Sequence, residues 1–108
     1  MLPARPALPA LLALCALACS GSDDPVVRGR QAYAANCTAC HHVDPALDGT
    51  MGPAIAGSSH ELLAARVLGA DYPPGYMPKR DTGLMQPLPH LRDQIDDLAA
   101  YLADGAVR

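Results

Sequence analysis

Aromatic side chains are scarce in this sequence of 108 residues, which contains no Trp, no Phe and only four Tyr. A chain of this length supports one small domain at most. Its core must therefore be built from Leu, Ala, Val, Ile and Pro, and such a core is thin. A thin core in a small domain usually needs support from a metal, a disulfide or another large buried group.

Positive charge is also scarce, because eight Lys and Arg face eleven Asp and Glu, for a formal net charge of −3. An acidic domain of this kind is not expected to bind nucleic acid. Its charge suits instead protein partners that present basic docking faces.

Long apolar runs are limited to residues 8–17, near the N-terminus, and this run is too short to predict a membrane-crossing helix. Arg5 before it and the small-x-small residues 16–18 after it are typical of an export signal. We therefore predict a signal peptide over residues 1–18. Its removal leaves seven basic and eleven acidic side chains, a formal charge of −4.

Cys19 directly follows the predicted cleavage site and is followed by a small, polar stretch. The segment resembles the lipobox and tether of bacterial lipoproteins, which implies a lipid anchor on Cys19 and a tether over residues 19–24. The alternative is a secreted protein with a free Cys19. Either form predicts an exported protein on the periplasmic side of a bacterial membrane.

Cys37, Cys40 and His41 form a C-x-x-C-H motif, which is typical of the covalent attachment of a c-type haem. Two thiols at this spacing can each add to a vinyl group of one porphyrin, while the adjoining imidazole reaches the iron. The alternatives are a redox C-x-x-C pair or half of a zinc site. Zinc would need a second ligand pair at similar spacing, but Cys15 and Cys19 lie in the apolar leader.

Three helices are predicted around this motif. Asp24 as N-cap and Pro25 at the first helical position start a helix that runs to about Asn36. A capping box from Ser58 to Glu61 starts the second, which runs to about Leu68 and is closed by Gly69. The third begins near Leu91 and ends near Gly105. Its apolar stripe consists of Leu91, Ile95, Leu98 and Leu102.

Gly29 and Tyr33, four residues apart just before the haem motif, resemble the N-terminal helix of class I cytochromes c. Residues 52–57 are similar to the Gly-Pro-x-Leu-x-Gly segment of that family. The resemblance implies that the Pro53 carbonyl accepts a hydrogen bond from His41 and that Ile55 packs on the haem. It also implies a contact between Gly29 and Tyr101.

The resemblance covers roughly residues 25–105 and implies an all-α cytochrome c fold, with about three main helices around one haem. The domain is expected to span residues 25–108. Its cofactor would be one haem c per chain, covalently bound through Cys37 and Cys40.

The sixth ligand of the iron is expected to be a methionine from the Pro- and Gly-rich loop over residues 70–90. Met85 precedes a Pro-spaced run that is similar to the family's ligand segment and would hold the sulfur rigidly. Met77 is the alternative, because its distance from Gly69 at the end of the preceding helix resembles that of the family's ligand methionine. The one that does not bind iron is expected to pack on the haem edge. Met51 is predicted to be core or surface filler.

Lys79 and Arg80 lie between the two candidate methionines. They are either solvated loop charges or a small basic spot near the haem edge that orients a partner.

His41 and Met85 as axial ligands would fill both coordination positions of the iron, which predicts a one-electron carrier rather than an enzyme. Its partners would be periplasmic or membrane-bound redox proteins. One alternative is a dedicated haem subunit of a periplasmic dehydrogenase or reductase. The other is a haem with an open position that binds a gas or peroxide.

Overall fold

The computed structural model describes residues 22–105, and within this range the chain is all-α. Helix α1 spans Pro25–Asn36, α2 spans His60–Gly69 and α3 spans Ile95–Gly105, with a 3₁₀ helix at Pro89–Gln94 leading into α3. The predicted all-α fold with about three main helices is confirmed. The predicted signal peptide and Cys19 lie outside the described residues.

Helix α1 begins and ends where the sequence predicts. The Asp24 carboxylate accepts a hydrogen bond from the Val26 N–H at 2.9 Å, and Pro25 occupies the first turn. The helix ends at Asn36, and the Cys37 N–H still donates to the Tyr33 carbonyl at 2.9 Å. The haem motif therefore follows the last turn of α1 without a linker.

Helix α2 differs from the prediction at both ends. Its N-cap is Ser59, whose hydroxyl accepts from the Leu62 N–H at 3.0 Å. The predicted cap at Ser58 is wrong, because the Ser58 hydroxyl donates to the Ile55 carbonyl at 2.7 Å and closes the preceding turn. The helix also includes Gly69, since Ala70 takes the left-handed conformation that terminates it, with φ of 55°.

The last helical segment has two parts. The prediction of one helix from Leu91 is wrong, because the first turns are 3₁₀ and the α-helix begins at Ile95. Leu88, which precedes the 3₁₀ helix, makes no side-chain capping hydrogen bond. The apolar stripe is nevertheless preserved across the junction, and all four of its predicted members are buried.

Helix α1 crosses α3 at a point where only glycine fits. A Cβ atom on Gly29 would lie 1.9 Å from the Asp97 carbonyl oxygen and 2.7 Å from Tyr101 Cβ, so the predicted Gly29 to Tyr101 contact is confirmed. The Arg28 guanidinium also pairs with the Asp97 carboxylate through two contacts of 3.0 Å. The rings of Tyr33 and Tyr101 pack with centroids 5.6 Å apart.

Helix α2 packs on the other side of α3 and on the 3₁₀ helix, with Leu63 and Val67 buried. The Gly57 N–H donates to the Leu102 carbonyl at 2.9 Å, and the Leu88 N–H donates to the Val67 carbonyl at 2.6 Å. These bonds join the irregular segments to the helices. None of the helices within residues 22–105 is long and apolar enough to cross a membrane.

Candidate haem site

The C-x-x-C-H motif forms a tight turn directly after α1. The Cys40 and His41 N–H groups both donate to the Cys37 carbonyl, at 3.2 Å and 2.9 Å. The Tyr33 hydroxyl donates to the His42 carbonyl at 2.5 Å. Burial raises the pKa of Tyr33 well above its usual range. This partly buried bond holds the end of the motif against α1.

The two thiols of the motif differ in exposure: Cys37 is half-buried and Cys40 is exposed. Burial, with a smaller contribution from the neighbouring Cys40, raises the pKa of the Cys37 thiol to about 11. Both side chains line one cavity. Two thiols on the same cavity wall can each form a bond to one ligand placed inside it.

The His41 ring is held by a backbone carbonyl. Its Nδ1 lies 2.9 Å from the Pro53 carbonyl oxygen, which is the hydrogen bond implied by the resemblance. Because a carbonyl oxygen only accepts, Nδ1 carries the proton and Nε2 keeps a free lone pair. A neutral imidazole in this tautomer is prepared to bind a metal through Nε2.

The Pro53 carbonyl is itself fixed by a short hydrogen-bonded loop. The Gly52 N–H donates to the Cys40 carbonyl at 2.9 Å, and the Gly49 N–H donates to the Gly52 carbonyl at 2.8 Å. The Asp48 carboxylate accepts from the Ala54 N–H at 2.8 Å. This loop therefore connects the motif to the segment that orients His41.

Gly52 lies flat against the His41 ring. A Cβ atom at this position would come within 2.4 Å of His41 Cε1 and 2.5 Å of Nδ1. The need for glycine was not predicted from the sequence, since a Gly-Pro turn explains the same residues locally. The absent side chain leaves room for the ring in its hydrogen-bonded orientation.

A cavity of about 270 Å³ lies between the motif, the helices and the loop over residues 70–88. Its walls include each residue that the sequence predicts for the site: Cys37, Cys40, His41, Pro53, Ile55 and Met85. Buried core residues such as Leu63, Val67, Leu98 and Leu102 form part of its lining. Exposed lining residues, among them Cys40 and Leu84, mark where the cavity meets the surface.

The three methionines of the described chain occupy different environments. Met85 is half-buried, lines the cavity and packs against the core. Met77 is 83 % exposed and does not line the cavity. Met51 lies there instead, with 45 % of its surface exposed.

His41 is the only histidine that lines the cavity, and all four histidines lie within the described residues. His42 does not line it, and its Nδ1 accepts from the Asp44 N–H at 2.8 Å. His60 Nε2 lies 2.7 Å from the Asp96 carboxylate on α3, and His90 lies 3.4 Å from Asn36.

Lys79 and Arg80 contact the loop that orients His41. Lys79 Nζ donates to the Ala54 carbonyl at 2.6 Å, and Arg80 donates to the Gly49 carbonyl at 3.2 Å. Neither contact was predicted, because the segment has no periodicity from which a partner can be inferred. The two side chains also line the cavity.

A cytochrome c family model matches residues 26–106. The chain belongs to the cytochrome c family. Proteins of this family carry a covalently bound haem c and typically transfer electrons rather than act as enzymes. Comparison with curated proteins and with solved structures gave no significant match.

The cytochrome c cavity offers a donor set that fits a haem. Two thiols, a neutral imidazole with a free Nε2 and a thioether all line one mostly apolar cavity. Imidazole and thioether are the axial donors expected for a cytochrome c iron, and an apolar wall suits the macrocycle. Residues 22–105 contain no cluster of three or more His, Cys, Asp or Glu side chains arranged for a metal ion alone.

Proposed function

We propose that this protein is an electron carrier whose single haem c is attached through Cys37 and Cys40 and ligated by His41 and Met85. The observation that carries the proposal is that these four side chains line the same cavity. Ile55 and Pro53 complete the wall on the His41 side. When bound, the haem supplies the one-electron couple of its iron.

The residues around the cavity would keep the iron's environment constant during electron transfer. The Pro53 carbonyl restrains His41 in one orientation, and core packing restrains Met85. With both axial positions filled by neutral donors, the site offers no open position to a substrate. Cys40 is exposed, which supports an attachment point near the surface, where a redox partner can approach.

The choice of Met85 over Met77 is tested by replacing each with Ala. We expect Met85→Ala to lose the weak far-red absorption band that arises from sulfur bonded to ferric iron. Met77→Ala is expected to retain the band, because the Met77 side chain is 83 % exposed and outside the cavity. Loss of the band in Met77→Ala alone would overturn the assignment, and its retention in both variants would exclude both residues.

The alternative of an open coordination position gives a different result in a simple measurement. A carrier with Met85 bound should not bind carbon monoxide to the reduced protein at neutral pH. The Met85→Ala variant is the matched positive control, since removal of the sulfur opens that position. Binding by the wild-type protein would favour a sensor or peroxide-reactive haem instead.

We further propose that the protein is exported and anchored by a lipid on Cys19, where it exchanges electrons with periplasmic or membrane-bound proteins. A formal charge of −4 after removal of residues 1–18 suits partners with basic docking faces. An anchor would raise the local concentration of the carrier near a membrane-bound partner.

The anchor is tested by mass spectrometry of the intact protein and by cell fractionation of a Cys19→Ser variant. We expect the wild-type protein to carry one lipid and to sediment with membranes, and the variant to be recovered in the periplasmic fraction. A lipid-free wild-type protein would contradict the anchor but not the carrier function. Co-purification with a larger enzyme would indicate the dedicated-subunit alternative.

A further inference from the structure

The charged side chains that line the cavity all have the same sign. They are Arg66, Lys79 and Arg80, and no Asp or Glu of the described residues contributes to the lining. The whole chain is acidic, with a formal net charge of −3, so this is not a consequence of composition. A cavity that combines apolar walls with cations only is suited to a ligand that carries both an apolar body and negative charge.

Arg66 already makes a hydrogen bond to the residue that ends its own helix. Its guanidinium donates to the Ala70 carbonyl at 2.7 Å and lies over the Tyr72 ring, 4.1 Å from the centroid. These contacts hold it against the aromatic side of the cavity. The other two cations come from the adjacent loop and have different partners.

The hydrogen bonds of Lys79 and Arg80 go to neutral carbonyl acceptors, and Arg80 also has one carboxylate at the outer limit of ion-pair distance. Lys79 Nζ contacts the Ala54 carbonyl at 2.6 Å, and the Arg80 guanidinium contacts the Gly49 carbonyl at 3.2 Å. The carboxylate paired with Arg80 is that of Asp48, at 3.9 Å. Ammonium and guanidinium groups have more N–H donors than these contacts use. Both side chains therefore retain N–H donors for an anionic group, and the charge of Lys79 faces no paired carboxylate within the described residues.

Both cations also lie where the cavity meets solvent. Lys79 is exposed, and the Arg80 side chain is 31 % exposed. The deeper walls are formed by buried residues such as Leu98 and Leu102. A haem has the matching distribution, since its ring is apolar and its two propionate groups are carboxylates. We propose that Lys79 and Arg80 bind the haem propionates at this rim and thereby raise the reduction potential of the iron.

This proposal rests on the proposed haem-binding function and adds how the haem is oriented and tuned. A positive charge near the haem disfavours the ferric state, which carries one more positive charge than the ferrous state. Because both side chains also contact the loop over residues 49–54, the bound carboxylates would join the loop that carries Met85 to the loop that orients His41.

The test is the midpoint potential of haem-loaded Lys79→Gln and Arg80→Gln proteins. We expect the equilibrium constant for reduction to fall about fivefold in each variant, because one positive charge near the haem is lost. The Arg30→Gln variant is the matched control: it loses the same charge from an exposed position on α1 outside the cavity. Lys79→Arg keeps the charge and is expected to keep the wild-type potential.

Potentials of Lys79→Gln and Arg80→Gln equal to that of the wild-type protein would overturn the proposal. If the potentials were equal and only the rate of reduction by ferrocyanide fell, the cations would act on incoming anions, which also overturns it. If the midpoint potential falls as much in Arg30→Gln as in the other two variants, the effect is not specific to the cavity rim and the proposal is overturned.

A measurement on the wild-type protein covers the case in which the neutral variants fail to mature. Infrared difference spectra between the two redox states, recorded with haem labelled at its carboxylates, should show carboxylates bonded to charged donors. Bands of fully solvated carboxylates would overturn the proposal. If the wild-type chain carries no haem, the carrier function is overturned as well. If it carries haem but its midpoint potential does not depend on Lys79 or Arg80, this proposal alone is overturned.

Discussion

His41 is held by two contacts of different kinds. The Pro53 carbonyl accepts from its Nδ1 at 2.9 Å, and the backbone of Gly52 occupies the space against the ring where any Cβ atom would clash. The first contact sets the tautomer, and the second places backbone directly against the ring. An iron ligand restrained in this way undergoes little rearrangement between redox states.

We predict that Gly52→Ala destabilises the haem-bound protein. The added Cβ atom would lie 2.4 Å from His41 Cε1, so the ring or the loop must move and the hydrogen bond to Pro53 weakens. The expected loss in the free energy of unfolding is about 2 kcal/mol. Guanidinium denaturation of the haem-bound protein, with its midpoint potential measured in parallel, checks this.

Gly69→Ala is the control for this prediction. A Cβ atom at Gly69 would approach only the carboxylate end of the Asp71 side chain, at 2.8 Å, so we expect no loss of stability and a gain of up to about 1 kcal/mol from helix propensity. Equal stability of Gly52→Ala and the wild-type protein would mean that the His41 ring is not confined by the backbone beside it.

At the scale of elements, local signals in the sequence predict the helices better than their exact ends. Asp24 and Pro25 define the start of α1 because capping depends on neighbouring residues alone. The cap of α2 was misplaced because Ser58 and Ser59 are equivalent in sequence, and only the turn at Ile55 determines which hydroxyl is free. The last helix likewise begins as a 3₁₀ helix because of its packing, and the spacing of apolar residues in the sequence does not reveal that packing.

The same division applies to the candidate site. Cys37, Cys40 and His41 are recognisable because their chemistry requires a fixed spacing. The positions of Lys79 and Arg80 were not predictable, because their partners lie about 25 to 31 residues away in a loop without periodicity. Such contacts depend on how two irregular segments meet, and no local pattern encodes that.

We predict that Gly29→Ala separates α1 from α3. A Cβ atom there would lie 1.9 Å from the Asp97 carbonyl oxygen, which belongs to backbone and cannot rotate away. The gain in helix propensity on replacing Gly, about 1 kcal/mol, is smaller than the cost of moving two packed helices. The expected net loss is about 2 kcal/mol, measured by thermal or chemical unfolding.

Gly69→Ala serves again as the comparison, because it makes the same substitution at a helical position where the added Cβ atom would meet no backbone of another helix within 4 Å. A Gly29→Ala protein more stable than the wild type would show that the crossing accommodates a methyl group and that propensity dominates.

At the scale of the whole molecule, the core and the cavity share the same residues. Leu63, Val67, Leu98 and Leu102 are buried and also line the cavity. Without a group in the cavity, one side of this small core would be in contact with water. The sequence has no Trp or Phe with which to fill that space. The bound haem is therefore expected to contribute much of the apolar surface that the fold buries.

We predict that a Cys37→Ala, Cys40→Ala variant, which lacks both proposed attachment thiols, is largely unfolded. The reason is that the remaining core leaves its cavity-facing side without a packing partner. Far-ultraviolet circular dichroism is the measurement, with haem-bound wild-type protein as the reference. A native-like helical spectrum from the variant would show that the three helices fold without the cofactor.

The contact between α1 and α3 should hold the molecule together even if the chain is cut in the loop between them. Gly83 is exposed, has a φ of 64° and would meet no atom within 4 Å if it carried a side chain. A protease cut beside it would leave α1 and the Cys37 turn on one polypeptide, and Met85 and α3 on the other. The crossing at Gly29 would keep the two fragments docked, and a sulfur-to-iron bond from Met85 would be a coordinate cross-link between them. Such a nicked protein should elute as one species while iron is bound and separate into two once that bond is displaced by excess imidazole in mild denaturant.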